Sequence, residues 1–337
     1  MVKASLVRIA VVGATGAVGR EMAALLAQRR FPLSELRLFA SERSAGKRIP
    51  FRRRQVRIEP LTPDCFADVD IVLMAVSAEL SRTWSPRAVE AGATVIDNSS
   101  AYRMDPGIPL IVPEVNGHRI PLPRRPGIIA NPNCTAAILL MALKPLHDAA
   151  GLTRVIVSSY QASSGAGAEG MAELEAQLKG WAKGRKVPAK VFAHPLAFNL
   201  IPHIDSFRAD GFTGEEMKVA QETRKILELP GLPVTATCVR VPVLRAHSES
   251  VYVETSRRIT AEQARRAFAA FSGLQVIDDP RLKHYPMPRD LAGKDDCAVG
   301  RIREDLHTPN ALNFWVVGDQ LRKGAALNAV QIAERLL

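Results

Sequence analysis

The stretch Arg8-Ile9-Ala10-Val11-Val12-Gly13-Ala14-Thr15-Gly16-Ala17-Val18-Gly19 decides how the N-terminal part of the chain is read. An apolar run of strand character stops at Gly13, two more glycines follow at intervals of three, and a helix-like segment then continues to about Gln28. Strand, glycine turn and helix in this order form a dinucleotide-binding unit. The turn must be tight, the backbone bare enough for pyrophosphate to approach, and the helix N-terminus open to its charge. The loop after the second strand selects the cofactor: residues 36–40 run into Ser41, Glu42, Arg43, Ser44, Ala45, Gly46 and Lys47. An acidic residue there binds a ribose diol, whereas arginine with hydroxyls cradles a 2′-phosphate. Glu42 speaks for NAD, but Arg43, Ser44 and Lys47 outweigh it, and NADP is expected.

Outward from that unit, further strands are expected at residues 71–76, 94–97 and 110–112, alternating with helix-like segments, which implies a parallel sheet covered by helices. Beyond residue 134 the strand candidates (154–160, 234–244, 250–254, 299–303 and 312–317) are longer and mixed in order, as in a second, α+β domain. The tail, 323–337, repeats Ala326, Leu327, Val330, Ile332, Ala333 and Leu336 at helical spacing and needs a surface to pack on, the first domain being the expected one. Residues 121–126, rich in proline, read as a loop. A chain of 337 residues, 47% hydrophobic and 23% charged, is too long for one ordinary domain.

Composition narrows the function. No run of about 18 apolar residues occurs, and residues 1–12 lead directly into a strand without the regions of a signal peptide, so a cytoplasmic location is expected. Cys65, Cys134, Cys238 and Cys297 lie far apart, which suggests neither a disulfide framework nor a metal site. The net charge of +11 includes clusters at Arg52, Arg53, Arg54 and at Arg124, Arg125, but aromatics are only 5% and no nucleic-acid motif accompanies them. A basic surface or a small anionic ligand is the preferred reading.

Cys134 lies in Asn131-Pro132-Asn133-Cys134-Thr135, between a strand-like run (127–130) and a helix-like one (135–147). A thiol at the first turn of a helix meets the positive end of the backbone dipole, which favours thiolate, and the carboxyl edge of a sheet is where ligands collect in α/β proteins. The competing reading is a small buried hydrophobe. Three polar segments follow. Residues 158–167 end a strand in Gln161, suited to positioning an acyl carbonyl, and a Gly/Ser loop. Glu215 and Lys218 share a helix face, as a site pair or as a surface ion pair. Arg240 interrupts an apolar strand and His247 lies just past its end; an arginine so placed needs an anionic partner.

Together GATGAVG (13–19), SERSAGK (41–47), DNSSAYR (97–103), VPEVN (112–116), NPNCT (131–135), SYQASSGAG (159–167), EEMK (215–218), CVRVPVLRAH (238–247) and GDQLRKGAALN (318–328) resemble the aspartate-β-semialdehyde dehydrogenases over essentially the whole chain. The resemblance implies reversible, NADP-dependent reductive dephosphorylation of L-aspartyl 4-phosphate to aspartate 4-semialdehyde, in lysine, threonine and methionine biosynthesis. It also implies an α/β fold: a Rossmann-type NADP-binding domain (1–132 with 318–337) and an α+β catalytic and dimerisation domain with a mixed sheet (133–317). On the family's pattern Cys134 is the nucleophile, Gln161 orients the acyl group and His247 is the acid/base group, taking the proton in the oxidative direction. Arg240 and Glu215 clamp the substrate's carboxylate and amino groups, and Arg103 and Lys218 with Asn133 hold phosphate. Gly13, Thr15, Gly16, Ala17, Val18, Arg43, Ser44, Ser164, Gly165 and Gln320 contact NADP. One stretch departs from the pattern: Val76, Ser77, Ala78 and Glu79 stand where relatives often carry glycines. A homodimer is implied, with a helical insertion over about 166–195 contributing to the interface. The rival enzyme is N-acetyl-γ-glutamyl-phosphate reductase, whose cysteine motif reads Asn-Pro-Gly-Cys-Tyr, unlike Asn133 and Thr135 here; the rival of another class is a non-catalytic dimeric paralogue.

Overall fold

The computed structural model describes residues 6–337. The start of the chain, read above as lacking a leader, falls partly on residues 1–5, outside the described residues. Two compact units form, one from residues up to Asn133 together with Ala325–Leu337, the other from Cys134–Gly324.

In the first unit β1 (Val7–Val12) leads through the glycine turn into α1 (Ala17–Gln28), followed by β2 (Leu33–Ala40), β3 (Arg48–Phe51), β4 (Arg54–Pro60), β5 (Ile71–Met74), α2 (Ala78–Glu90), β6 (Thr94–Asp97), the short α3 (Pro113–Asn116) and β7 (Gly127–Ala130). They make a seven-stranded sheet in the order β3-β4-β2-β1-β5-β6-β7, parallel except for the β3/β4 hairpin. Ile9 and Val11 enter one apolar cluster, with residues of α1 and the C-terminal tail, while Ala10 and Val12 enter a second on the opposite face. Burial on both faces explains why β1 is apolar without alternation from Ile9 onward. Two details differ from the sequence reading. Arg52 and Arg53 are the turn of the β3/β4 hairpin, Arg52 having a φ of +51°. Residues 110–112 supply a single bridge, Leu110 to Ala130, before Pro113 starts α3, because proline has no N–H for a ladder but suits a first helical turn.

The second unit begins with α4 (Cys134–Ala150), then β8 (Leu152–Gln161), α5 (Gly167–Trp181), α6 (Gly214–Leu227), β9 (Val234–Arg240), β10 (His247–Thr255), α7 (Ala261–Ala269), β11 (Leu274–Val276), the short α8 (Pro288–Leu291), β12 (Cys297–Glu304) and β13 (Ala311–Gly318). Its six-stranded sheet runs β11-β12-β13-β10-β8-β9 with mixed directions. α4 is buried on every side from Thr135 to Leu143 and packs on β8, β10, β12 and β13 and on α6 and α7, which is why its sequence lacks a polar stripe. Only the first half of the expected 166–195 insertion is helical, as α5; the rest is irregular and closes a small core of Leu174, Leu196 and Ile201. The tail opens with a π-helical turn (Arg322–Ala326) before α9 (Leu327–Arg335), whose Leu327, Val330, Ile332 and Ala333 join the first unit's core. Among the described residues no helix is long and apolar enough to cross a membrane.

Candidate active site

Cys134 is the first residue of α4 and is half-buried, so its sulfur stands at the positive end of the helix dipole. Its Sγ lies 3.5 Å from Nε2 of His247, the first and fully buried residue of β10. On the ring's other side Nδ1 meets the N–H of Ala162 at 3.1 Å. A backbone N–H can only donate, so the Nδ1 lone pair is engaged and the ring proton is assigned to Nε2, facing the sulfur. Burial first, and then the charge of Arg240, hold His247 well below the ordinary imidazole value, leaving the ring neutral near pH 7. Accepting a proton at Nε2 requires the other tautomer and the loss of the Ala162 bond.

Ala162 also binds from its carbonyl side, accepting from Arg240 Nη1 at 2.6 Å. The ladder explains the meeting: Gln161 ends β8 directly beside Arg240 at the end of β9, and Ala162 follows. Arg240 is buried, with its guanidinium 5.7 Å from the centre of the Phe192 ring. Burial pulls its pKa down, opposed by the charges of Cys134 and Glu215. Buried Gln161 spends its Nε2 on Ser159 Oγ at 3.2 Å and Glu215 Oε1 at 3.3 Å. Glu215 is delivered by the first turn of α6, which a reciprocal capping box between Thr213 and Glu216 fixes. Glu216 Oε1 also accepts from the N–H of Cys238 at 3.1 Å, tying that turn to β9. Lys218 contacts Glu215 at 3.6 Å and Asp205 at 2.6 Å; burial pushes the Asp205 carboxyl up, but the bonds from Lys218 and Ser206 outweigh it and hold Asp205 below its usual range. Space around the group depends on two glycines. A Cβ at Gly165 would come within 2.5 Å of Arg240 Nη1 and 3.3 Å of the His247 ring, and one at Gly324 within 2.8 Å of Cys134 Cβ.

Cys134, Gln161, Glu215, Arg240, His247 and Lys218 are thus gathered within the second unit, from segments up to 113 residues apart in sequence. Ser164, Gly165 and Gln320 belong there too: Ser164 Oγ bonds the Gln320 amide nitrogen, and Gly165 backs onto Arg240 and His247. Sequence reasoning missed Ala162, whose role is purely backbone, and buried Glu249, on the same face of β10 as His247.

The rest of the expected set lies in the first unit. Gly13, Thr15 and Gly16 line a cleft of about 380 Å³ with Val12, Ala40, Ser41, Glu42, Ala75 and Val76. β1 continues to β2 on one side and pairs with β5 on the other, so the cleft stands where strand order reverses, the usual ligand position in such sheets. Gly13 has a φ of +84°, and a Cβ on it would strike the Ala75 carbonyl oxygen, so no other residue fits. α1 begins there with no side-chain cap and no acidic residue in its first turn, which includes Ala17 and Val18; both features suit an anionic ligand. Arg43, exposed, and Ser44, half-buried, form the short 3₁₀ turn Glu42–Ser44 after β2. Val76, Ser77, Ala78 and Glu79 lead into α2, with Ser77 Oγ capping the Leu80 N–H at 3.3 Å. Arg103 is buried, donating to the carbonyls of Asn131 at 2.9 Å and Asn98 at 2.8 Å. The Asn131 side chain is held in turn by Asn98 and Asn328, at 2.8 Å each. Asn133 is buried at the end of this unit's first segment. Among the described residues no cluster suited to a metal ion occurs.

Two family models match the chain: "Semialdehyde dehydrogenase, NAD binding domain" over residues 8–122 and "Semialdehyde dehydrogenase, dimerisation domain" over 143–323. A protein of Aquifex aeolicus named aspartate-semialdehyde dehydrogenase is 48% identical over 332 residues, covering 98% of both chains. Among solved structures, aspartate semialdehyde dehydrogenase II of Vibrio cholerae, complexed with ASA, superposes with a TM-score of 0.96 at 45% identity, covering 99% of this chain and 98% of that one. Aspartate semialdehyde dehydrogenase of Candida albicans with NADP matches at a TM-score of 0.78 and 26% identity, covering 98% of each chain.

Proposed function

The chain belongs to the aspartate-semialdehyde dehydrogenase family, oxidoreductases of amino-acid biosynthesis, and we propose that it interconverts aspartyl 4-phosphate and aspartate 4-semialdehyde through a thioester on Cys134. The observation that carries this reading is the thiol at the start of α4 with the Nε2–H of a neutral, buried imidazole 3.5 Å away. The Cys134 thiolate attacks the acyl carbon, the carbon–oxygen bond to phosphate breaks, and phosphate leaves with the electron pair; release of the aldehyde later returns the pair to sulfur. His247 donates through Nε2–H, to sulfur at rest and to the acyl oxygen as it gains charge, a preorganised donor of the oxyanion-hole kind. Gln161, anchored at Ser159 and Glu215, orients the acyl group. The Arg240 fork takes the substrate's carboxylate and Glu215 its ammonium. That pairing favours aspartyl phosphate over an N-acetylated analogue, which has no ammonium to meet Glu215. By resemblance, Arg103 and Lys218 with Asn133 are the proposed phosphate ligands.

NADP is the proposed cofactor and the first unit its domain, with Gly13, Thr15, Gly16, Ala17 and Val18 on the pyrophosphate side and Arg43 and Ser44 on the 2′-phosphate; bound there it supplies or accepts the hydride. Ser164, Gly165 and Gln320 are proposed contacts from the catalytic unit. The assembly is proposed to be a homodimer, in line with the dimerisation-domain match, and Trp181 and Phe198, each 66% exposed with ring centres 4.7 Å apart, supply apolar surface in the 166–200 stretch. A cytoplasmic location is part of the same proposal.

Phosphate-dependent oxidation of aspartate semialdehyde, followed with NADP and with NAD, tests the reading. The wild-type protein turns over with a preference for NADP that Arg43→Ala reduces, and Cys134→Ser is inactive while keeping its melting temperature. Turnover by Cys134→Ser at the wild-type rate would falsify the nucleophile assignment.

A further inference from the structure

Ala246 immediately precedes His247, and its φ of +74° lies in the left-handed region, which glycine enters freely and alanine does not. The residue is wholly buried. Its N–H donates to Gln320 Oε1 at 2.8 Å, and the same amide reaches Ser164 Oγ through Nε2. Ser163 and Ser164 donate their N–H groups to the carbonyls of Val243 and Leu244 at 2.8 and 3.1 Å. Two loops, 162–166 and 241–246, are therefore zipped together, and the Gln320 side chain lies across them. These loops fix the imidazole, since Ala162 holds Nδ1 and the backbone at Ala246 sets the direction in which β10 starts. Gln320 is itself held, because buried Asp319 accepts from Arg245 Nε and the Gly293 N–H at 2.5 Å each and from the Leu321 N–H at 2.9 Å.

We infer that Gln320 is a positioning residue for His247: its side-chain carbonyl keeps Ala246 in the left-handed conformation that aims Nε2 at Cys134, in addition to any contact with a cofactor. Backbone strain held by surrounding bonds recurs at active sites, where it secures a geometry the chain would otherwise leave. The inference rests on the assignment of Cys134 and His247 above; the turnover of Cys134→Ser decides the first separately, and that of His247→Ala the second.

The test measures alkylation of Cys134 by iodoacetamide across pH in the full-length protein without cofactor, located by mass spectrometry, beside kcat, KM and cofactor affinity. Gln320→Met keeps the shape and loses the acceptor; it is expected to move the alkylation profile in the direction His247→Ala does and to lower kcat at least tenfold with little change in the semialdehyde KM. Gln320→Glu keeps an acceptor for the Ala246 N–H and is expected to retain the wild-type profile. Glycine at position 246 needs no holding, so Ala246→Gly added to Gln320→Met is expected to recover at least threefold of the lost kcat. A wild-type alkylation profile in Gln320→Met, with the loss confined to cofactor affinity, would overturn the inference, as would an absence of recovery in the double variant.

Discussion

Replacing Glu249 with glutamine removes a proton that the native protein holds and the unfolded chain does not. Glu249 is fully buried on β10 between Ser159 of β8 and Val316 of β13, and neither carboxyl oxygen meets a hydrogen-bonding group among the described residues. Glu249 adds its influence to those of Glu215 and Glu216 at Cys238, whose thiol burial pushes far up. Desolvation raises the Glu249 pKa well above the ordinary carboxylate value. The native group then binds a proton over a pH range in which the unfolded one has lost it. Stability associated with this site is complete below about pH 4.5 and falls as pH rises toward the native pKa, by about 1.4 kcal/mol per pH unit within that window. Glutamine carries no such proton, so the stability of Glu249→Gln relative to wild type climbs with pH at that slope, whatever constant offset its amide brings. For a cooperative unit of about 150–250 residues this is roughly 3–6 °C in melting temperature per pH unit. Thermal unfolding of both proteins at pH 5.5, 6.5 and 7.5, in one buffer series at fixed ionic strength, reads the slope directly. A constant gap between the two would refute the reasoning, because it means that Glu249 is ionised in the native state over that range.

The site geometry carries two more expectations. Arg240→Lys loses both the planar fork and the bond to the Ala162 carbonyl, so steady-state kinetics should show a KM for aspartate semialdehyde raised about tenfold or more, with a smaller fall in kcat; an unchanged KM would remove Arg240 from the substrate clamp. Gly165→Ala inserts a Cβ 2.5 Å from Arg240 Nη1 and 3.3 Å from the His247 ring; shifts of about 1 Å at reacting groups cost on the order of 10²-fold in rate, so kcat/KM should fall by that order with the melting temperature preserved, and full activity would show that the two side chains have room to yield.

The layers of the first unit were legible because local pattern and burial agree there. Ile9–Val12 is apolar throughout and buried on both faces, and the glycine turn has a single steric solution at Gly13. The β3/β4 hairpin was hidden although Ile49 and Phe51, then Val56 and Ile58, alternate, because three consecutive arginines at its turn drew the reading toward a charged surface. In the second unit the side chains with chemistry of their own stood out in the sequence: Cys134, Gln161 and His247 at the ends of strand-like or helix-like segments, Arg240 as a break in an apolar strand, and Glu215 as half of a charged pair on a helix. What fixes them did not. Ala162 acts through its peptide group, Ala246 through a backbone angle, and Asp319 by accepting four bonds within its own turn and from two distant loops. In His247-Ser248-Glu249-Ser250 the alternation is polar on both faces, so sequence gave no sign that one of the two acids nearby, Glu249, points into the core while Glu254 stays partly exposed.

On the proposed mechanism the charge arrangement answers one constraint, that a thiolate be stabilised without surrendering the substrate clamp. An imidazolium at His247 would stand beside the Arg240 guanidinium in a buried space, and like charges there repel strongly. The Ala162 N–H removes that option by occupying Nδ1, so the second unit keeps one side-chain cation, one helix terminus and one neutral donor around the sulfur. Arginine does not titrate in the working range of proteins, and the helix dipole has no proton to lose. The positive field these two place on Cys134 is therefore independent of pH, and on the same proposed mechanism the ring of His247, neutral at rest, is left to donate to whichever atom carries the negative charge at each stage.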